Sequence, residues 1–172
     1  TEGWNCNTDW WRSEQAGLVP HRSADACRSW DLWREDLALL NKLHLNAYRM
    51  SVEWARIEPE PGRFDRTALA HYREILEAVR AAGVEPIVTL HHFTNPLWLA
   101  RGGAWTNPAV VDRFAAYAER VGEYLGDLVQ WWVTINEPTV FGLFGYLSGA
   151  WPPHRRNDFA GYVRHTRHLL RG

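Results

Sequence analysis

The sequence predicts an α/β fold of parallel strands joined by crossover helices, and three observations carry that expectation. Amphipathic helical stripes alternate with short apolar runs, in the order helix, strand, helix, strand, helix, strand, helix. The strand-like runs begin at Leu45, Val84 and Leu128, a repeat of about 40 residues that accommodates one strand, one helix and two loops. Each run ends in polar or charged residues, on the side where parallel α/β proteins gather their reactive groups. At that spacing the 172 residues hold only about four units, against the eight of a closed barrel. The chain is therefore either a small open sheet or half of a (β/α)8 TIM barrel.

Each element has its own local reason. Trp33, Leu37, Leu40 and Leu43 recur at helical spacing after Ser29 or Asp31, either of which is a suitable cap, and Glu35 and Asp36 lie near the positive end of the helix dipole. Leu45 to Val52 is short and mixed, as a strand ending in functional residues is, and Glu58-Pro59-Glu60-Pro61-Gly62 is a loop. Asp65 caps a second helix whose stripe is Leu69, Tyr72, Ile75, Leu76 and Val79, and Gly83 ends it. Val84 to His92 is the second strand, with Pro86 near its entrance. Asn107-Pro108 starts a third helix carrying Val111, Phe114, Ala118, Val121 and Leu125. Leu128 to Glu137 is the third strand, and a last helix from about Asp158 is still running at Gly172.

Composition excludes several classes of function. Lys+Arg 19 against Asp+Glu 20 leaves a net charge of -1, with no field to recruit nucleic acid or an acidic membrane surface. The longest apolar stretch, Val140 to Leu147, is broken by Gly142 and Gly145 and is far too short for a membrane span. The chain opens Thr1-Glu2-Gly3 with no initiator methionine and no signal-like segment, so its true start is expected upstream and a cytoplasmic location is expected. Cys6 and Cys27 fit no metal spacing and read as ordinary thiols; no metal and no cofactor is expected. The 11 tryptophans are a costly way to fill a core, because each indole N–H needs a partner, and such a density suggests flat faces kept for a ligand such as a sugar, or simply packing. Trp33 belongs to a helix stripe and the core; for Trp98 and Trp105 a substrate wall and a packing role are equally open; of Trp131 and Trp132 at most one faces a barrel interior.

The strand ends carry Arg49 with Glu53, then His91-His92-Phe93, then Asn136-Glu137-Pro138. An apolar strand that delivers a carboxyl group, with an amide before it and a proline fixing the next turn, places Glu137 to be partly desolvated and to deliver a proton. His91 and His92 point to opposite sides of a strand, so at most one meets a ligand, and a lone strand histidine is more often a satisfied core residue. Arg49 either pairs with Glu53 or another acid, or holds a catalytic carboxylate ionised.

The run Tyr48 to Pro59, then Thr89-Leu90-His91-His92-Phe93, then Trp132 to Pro138 closely resembles glycoside hydrolase family 1, the β-glucosidases and their relatives. The resemblance covers essentially the whole chain, with Glu2-Gly3, Gly145-Tyr146 and Pro152-Pro153 also falling where that family has equivalent pieces. It implies that residues 1–172 are the amino-terminal half of a single catalytic (β/α)8 barrel, roughly its first four βα units, and that the complete protein hydrolyses terminal β-D-glycosidic bonds with retention of configuration. Residue by residue it implies Glu137 as general acid/base, Asn136 as the partner of the sugar 2-hydroxyl, His92 as a contact to glycone hydroxyls with His91 left on the helix side, and Arg49 as the group that orients the nucleophile. Phe93 stands where many members carry tryptophan. A glutamine that would precede Glu2-Gly3 is missing, and Thr1 takes the place of the residue between them.

Retaining glycosidases need two carboxylates about 5–5.5 Å apart. No Thr-Glu-Asn-Gly-like nucleophile motif occurs in this chain. Two functional readings follow. One is half of a β-glucosidase-like enzyme whose partner is a β-glycoside or oligosaccharide; the other is a non-catalytic half-barrel that binds sugar or a partner protein. A third, an endoglucanase sharing the Asn-Glu-Pro triplet, is opposed by the Tyr48-to-Pro59 run. Open strand edges and an uncovered interior face favour self-association. The 172 residues alone are expected to release no measurable nitrophenol from nitrophenyl β-glucoside; robust release abolished by Glu137→Ala would overturn this expectation.

Overall fold

A computed structural model describes residues 2–172, so the expectation attached to Thr1 lies outside the described residues. Three strands, β1 (Ala47–Ser51), β2 (Glu85–His91) and β3 (Trp131–Ile135), form one parallel sheet in that order. The helices are α1 (Asp9–Gln15), α2 (Ser29–Lys42), α3 (Trp54–Ile57), α4 (Arg66–Ala81), α5 (Leu97–Arg101), α6 (Val110–Leu125), α7 (Pro138–Gly142) and α8 (Phe159–Leu169), with a 3-10 turn at Ala104–Thr106 and a π-helical turn at Leu143–Ser148. Alternation of α2, β1, α4, β2, α6, β3 and α8 is the order expected of parallel βα units, the first of which is represented by its helix alone. Short helices α3, α5 and α7 occupy the loops that follow the strands.

Local chemistry sets most boundaries. The Asp65 carboxylate accepts the N–H groups of Thr67 and Ala68 at 2.8 and 3.2 Å and starts α4, and Gly83, at φ 73, turns the chain out of it. Asp158 accepts the Gly161 N–H at 2.7 Å and starts α8, which ends at Leu169 instead of running to Gly172. The cap of α2 is neither Ser29 nor Asp31: Arg28 occupies that position at φ 52 without a side-chain bond to the helix N–H groups, and Asp31 lies inside the first turn as a charge facing the dipole. Asn107 accepts the Ala109 N–H at 3.0 Å, and this turn delays the start of α6 to Val110, beyond Pro108.

The core lies between the sheet and helices α3, α4 and α6. Trp54, with no exposed surface, stacks on Tyr117 at 4.8 Å and meets Phe114 at 5.7 Å, while its indole N–H donates to the buried Glu58 carboxylate at 2.7 Å. Tyr117 in turn donates to the Leu90 carbonyl at 3.0 Å, tying α6 to β2. Trp33 is in this core, and so are the two undecided indoles: Trp105 is fully buried and donates to Asn95 Oδ1 at 3.1 Å, and Trp98 donates to the Glu58 carbonyl at 2.9 Å. Trp131 is 61% exposed on the free face of the sheet, whereas Trp132 packs against the core.

Helix α8 docks through His165, which has no exposed surface and sits between Phe141 at 4.7 Å and Tyr146 at 4.8 Å. Glycine is required at position 142, because a Cβ there would lie 2.8 Å from the Tyr162 ring. Neither ring nitrogen of His165 finds a hydrogen-bond partner. Burial, with a smaller contribution from His91 and His168, holds its pKa down at about 3, and burial holds that of His91 at about 4. The unfolded chain takes up these protons near 6.5, so the stability involved is complete above that pH and is lost as pH falls. Glu2 and Asp9, raised by burial to about 7, act in the opposite sense and cost stability as pH rises from the ordinary carboxylate range. Urea unfolding at pH 7.5 and pH 5 separates the two effects: His165→Leu is expected to lose about 2 kcal/mol less on acidification than the unaltered chain, and equal losses would refute this account.

Candidate active site at the strand ends

Parallel pairing brings the ends of β2 and β3 level, His91 with Ile135, and ends β1 two residues earlier. Ser51 is in register with Thr89, and Thr89 with Val133. Beyond the last paired residues, the Asn136 N–H donates to the His91 carbonyl at 2.9 Å, so the Asn136-Glu137 pair is held beside the end of β2. Arg49 bridges all three strands: its Nε donates to Thr89 Oγ1 at 3.1 Å and its Nη2 to Asn136 Oδ1 at 2.6 Å. Thr89 is fully buried and Asn136 nearly so. A guanidinium only donates, so Asn136 must turn its oxygen to Arg49 and present its NH2 elsewhere, as a donor. The alternative pairing of Arg49 with Glu53 does not occur. Glu53 instead accepts the Thr94 hydroxyl at 3.0 and 2.8 Å and the Ala55 N–H at 3.3 Å, and burial raises its pKa.

The two histidines part as adjacent strand residues should. His91 is buried, with Nε2 3.2 Å from Asn95 Oδ1 and its ring packed on Trp105 and Phe141. His92 is accessible, with Nδ1 2.9 Å from Ser51 Oγ and its ring edge-on to Phe93 at 5.0 Å. Partial burial, then the Arg49 guanidinium, lower the His92 pKa, and the Glu137 carboxylate, close enough to be felt, opposes them.

Glu137 sits directly before α7, with Pro138 at the first helical position. Its backbone is left-handed, φ 41 and ψ 60, as is that of Phe93 at φ 74. Non-glycine residues rarely adopt this conformation, although in this chain it recurs away from the strand ends, at Ala24, Arg28 and His44 among others. The expectation of a desolvated Glu137 is not met: the residue is exposed, and β3 is the edge strand of the sheet among the described residues.

A cavity of about 480 Å3 runs from His92, Ser51 and Phe93 to Tyr48, Trp10 and Trp30. Trp151 meets Phe93 at 4.9 Å and Trp10 at 5.5 Å in tilted contacts, so it backs two residues of the cavity wall that are far apart in sequence. Sequence reasoning missed Ser51, Thr89, Trp10 and Trp151. For the first two a signal existed, since each is a polar residue inside an apolar strand, level with the other. For the two tryptophans there was none, because their meeting depends on tertiary structure. Among the described residues, no group of three or more His, Cys, Asp or Glu side chains could hold a metal ion. Among those residues, too, no helix is long and apolar enough to cross a membrane.

A parallel βα array that gathers polar and charged side chains at its strand ends is the arrangement in which barrel enzymes build their sites. The sequence profile of Glycosyl hydrolase family 1 matches residues 6–171, and the chain belongs to that family. It is 37% identical over 147 residues to Beta-glucosidase A of Thermotoga maritima, covering 85% of this chain and 33% of that protein. It is 38% identical over 130 residues to the human Cytosolic beta-glucosidase, covering 74% of this chain and 28% of that one. Among solved structures, a beta-glycosidase from Pyrococcus horikoshii matches with a TM-score of 0.92 at 41% identity, over 98% of this chain and 39% of that one. The beta-glucosidase of Thermotoga maritima in complex with azafagomine matches at 0.94 and 34% identity, over 98% of this chain and 40% of that one. The chain thus spans about a third of the curated relatives and about two fifths of the solved structures it matches, and its fold is part of a (β/α)8 barrel.

Replacing Arg49 by methionine removes a cation beside His92 and is expected to raise the His92 pKa toward 6.5. A histidine-resolved NMR titration reads this directly, and a fall or an unmoved value would contradict the assigned cause.

Proposed function

We infer that this chain supplies the acid/base half of a retaining β-glycosidase, acting on terminal β-D-glycosides of the β-glucoside type. The observation that carries the reading is the Arg49 bridge to Asn136 at 2.6 Å, which fixes an amide donor one residue before the strained carboxylate Glu137. Glu137 is the general acid/base: it protonates the glycosidic oxygen as the bond to the leaving group breaks, and later takes a proton from the water that releases the sugar. The NH2 of Asn136 meets the sugar 2-hydroxyl, a contact that strengthens in the transition state. His92 hydrogen-bonds glycone hydroxyls. Arg49 keeps the nucleophilic carboxylate ionised and oriented, that carboxylate being supplied by residues other than those of this chain.

Residues 1–172 are, on this reading, part of one catalytic domain and not a domain of their own. Membership of the family supports it, as does the apolar surface left uncovered at Trp131, Phe159 and Val163, each more than 60% exposed, where further βα units would pack. The same surface would drive self-association of the isolated chain.

The test uses the protein in which this chain is joined to the rest of its barrel. Glu137→Gln is expected to slow glycosides with poor leaving groups at least about 100-fold, and activated aryl glycosides far less, because only the former need the proton. Equal slowing of both would remove Glu137 from the acid role, and a first-formed sugar of inverted configuration would remove the retaining mechanism.

A further inference from the structure

A neutral imidazole carries one N–H and one lone pair, and which nitrogen holds the proton decides whether His92 offers a pocket ligand a donor or an acceptor. In this chain the choice is made from the neighbouring strand. Ser51, the last residue of β1, is level with Thr89 of β2, and its hydroxyl lies 2.9 Å from His92 Nδ1. No other hydrogen bond of that hydroxyl occurs among the described residues. If the hydroxyl donates to Nδ1, its proton is used and the ring keeps its proton on Nε2, which is also the form a free histidine side chain prefers in water. In the reverse arrangement the hydroxyl proton has only solvent to meet at this exposed contact, and the ring is forced into its less favoured form. Both preferences act in the same direction.

We propose that Ser51 is a positioning residue: its hydroxyl donates to Nδ1 of His92, fixes the Nε2–H tautomer and the ring's orientation, and so makes His92 a hydrogen-bond donor to a sugar hydroxyl oxygen. The second half of this statement rests on the proposed role of His92 in binding the glycone; the first half does not. The groups that face the ring are consistent with a neutral donor. Arg49 is a cation beside it and disfavours the imidazolium, against the smaller opposing pull of the Glu137 carboxylate, and Phe93 closes one edge of the ring. The role differs from that of Arg49, which sets the orientation of Asn136 from the same strand two residues earlier. Residues 49 and 51 share one face of β1, so one strand sets the hydrogen-bonding sense of a group at the end of each of its two successors.

The experiment uses the protein containing this chain and the rest of its barrel, labelled with 15N-histidine, with the His92 signals assigned by their loss in His92→Gln. At pH 8 the long-range 1H–15N spectrum is expected to show an unprotonated Nδ1 and a protonated Nε2. Ser51→Ala should move both nitrogens toward the averaged shifts of mixed tautomers, and Ser51→Thr, which keeps the hydroxyl, should restore them. With nitrophenyl β-glucoside as substrate, kcat/KM is expected to fall about five- to tenfold in Ser51→Ala and to recover in Ser51→Thr. A protonated Nδ1 in the unaltered protein, or a spectrum unmoved by Ser51→Ala, overturns the proposal. If the spectrum responds as expected but His92→Gln leaves kcat/KM unchanged, the glycone role of His92 is refuted while the hold of Ser51 on the ring stands. If His92→Gln costs activity and Ser51→Ala does not, the contribution of Ser51 to binding is refuted.

Discussion

The arrangement at the strand ends depends on one cation. Arg49 reaches from β1 across β2 to the residue after β3, through bonds of 3.1 and 2.6 Å, and its partners Thr89 and Asn136 are buried. A guanidinium has several donors in a fixed plane and no acceptor, so it dictates the orientation of everything it touches. With Arg49 in place, the Asn136 amide can point only one way, and His92 carries a cation at its flank. The sheet makes this bridge possible because its parallel register is unshifted: Ser51, Thr89 and Val133 lie level, and the side chains at their ends meet instead of passing one another.

Behind this edge the packing is arranged to keep the strands still. Trp54 plugs the space between α3 and α6 and delivers its N–H to a buried Glu58, whose other oxygen accepts the Gly62 N–H at 2.7 Å and so pins the loop that precedes α4. Asp9 accepts the backbone and side-chain N–H groups of Asn95 at 3.0 and 2.8 Å, and Asn95 is the partner of both His91 and Trp105. One buried carboxyl thereby couples α1 to the loop after β2. Burial holds its proton up to about 7, so the coupling lies in a region where a full charge is poorly tolerated.

What the sequence discloses is governed by the length over which a pattern is repeated. The long helix α4 buries the stripe expected of it, whereas α6 buries Val110 and Tyr117 in place of the expected Val111 and Ala118, alongside Phe114, Val121 and Leu125; Asp65 and Gly83 bound α4 because a carboxylate cap and a left-handed glycine are local devices that need no tertiary partner. Helices α1, α3, α5 and α7 run for 7, 4, 5 and 5 residues, too few turns for a stripe to be visible. Distant contacts hold them, such as the Asn7 side chain on the Ala55 and Pro59 carbonyls at 3.2 and 3.1 Å. At the strand ends, residue types direct attention to Arg49, the His91-His92 pair, Asn136 and Glu137, and only the family resemblance chooses His92 over His91. The contacts of Thr89 with Arg49 and of Ser51 with His92 come from the register between strands, which no single strand encodes.

The left-handed backbone at Glu137 bears on the history of the chain. Holding a long side chain at φ 41 costs on the order of 1 kcal/mol, and glycine or asparagine would relieve most of that cost at the same place. A descendant that kept only its fold would gain stability by drifting to either residue, and a single nucleotide change converts either glutamate codon to a glycine codon. Glutamate occupies a position where folding alone favours its replacement, as do other residues of the chain such as Ala24, Arg28 and His44, so its retention there would report selection for chemistry only through the acid/base role proposed for it.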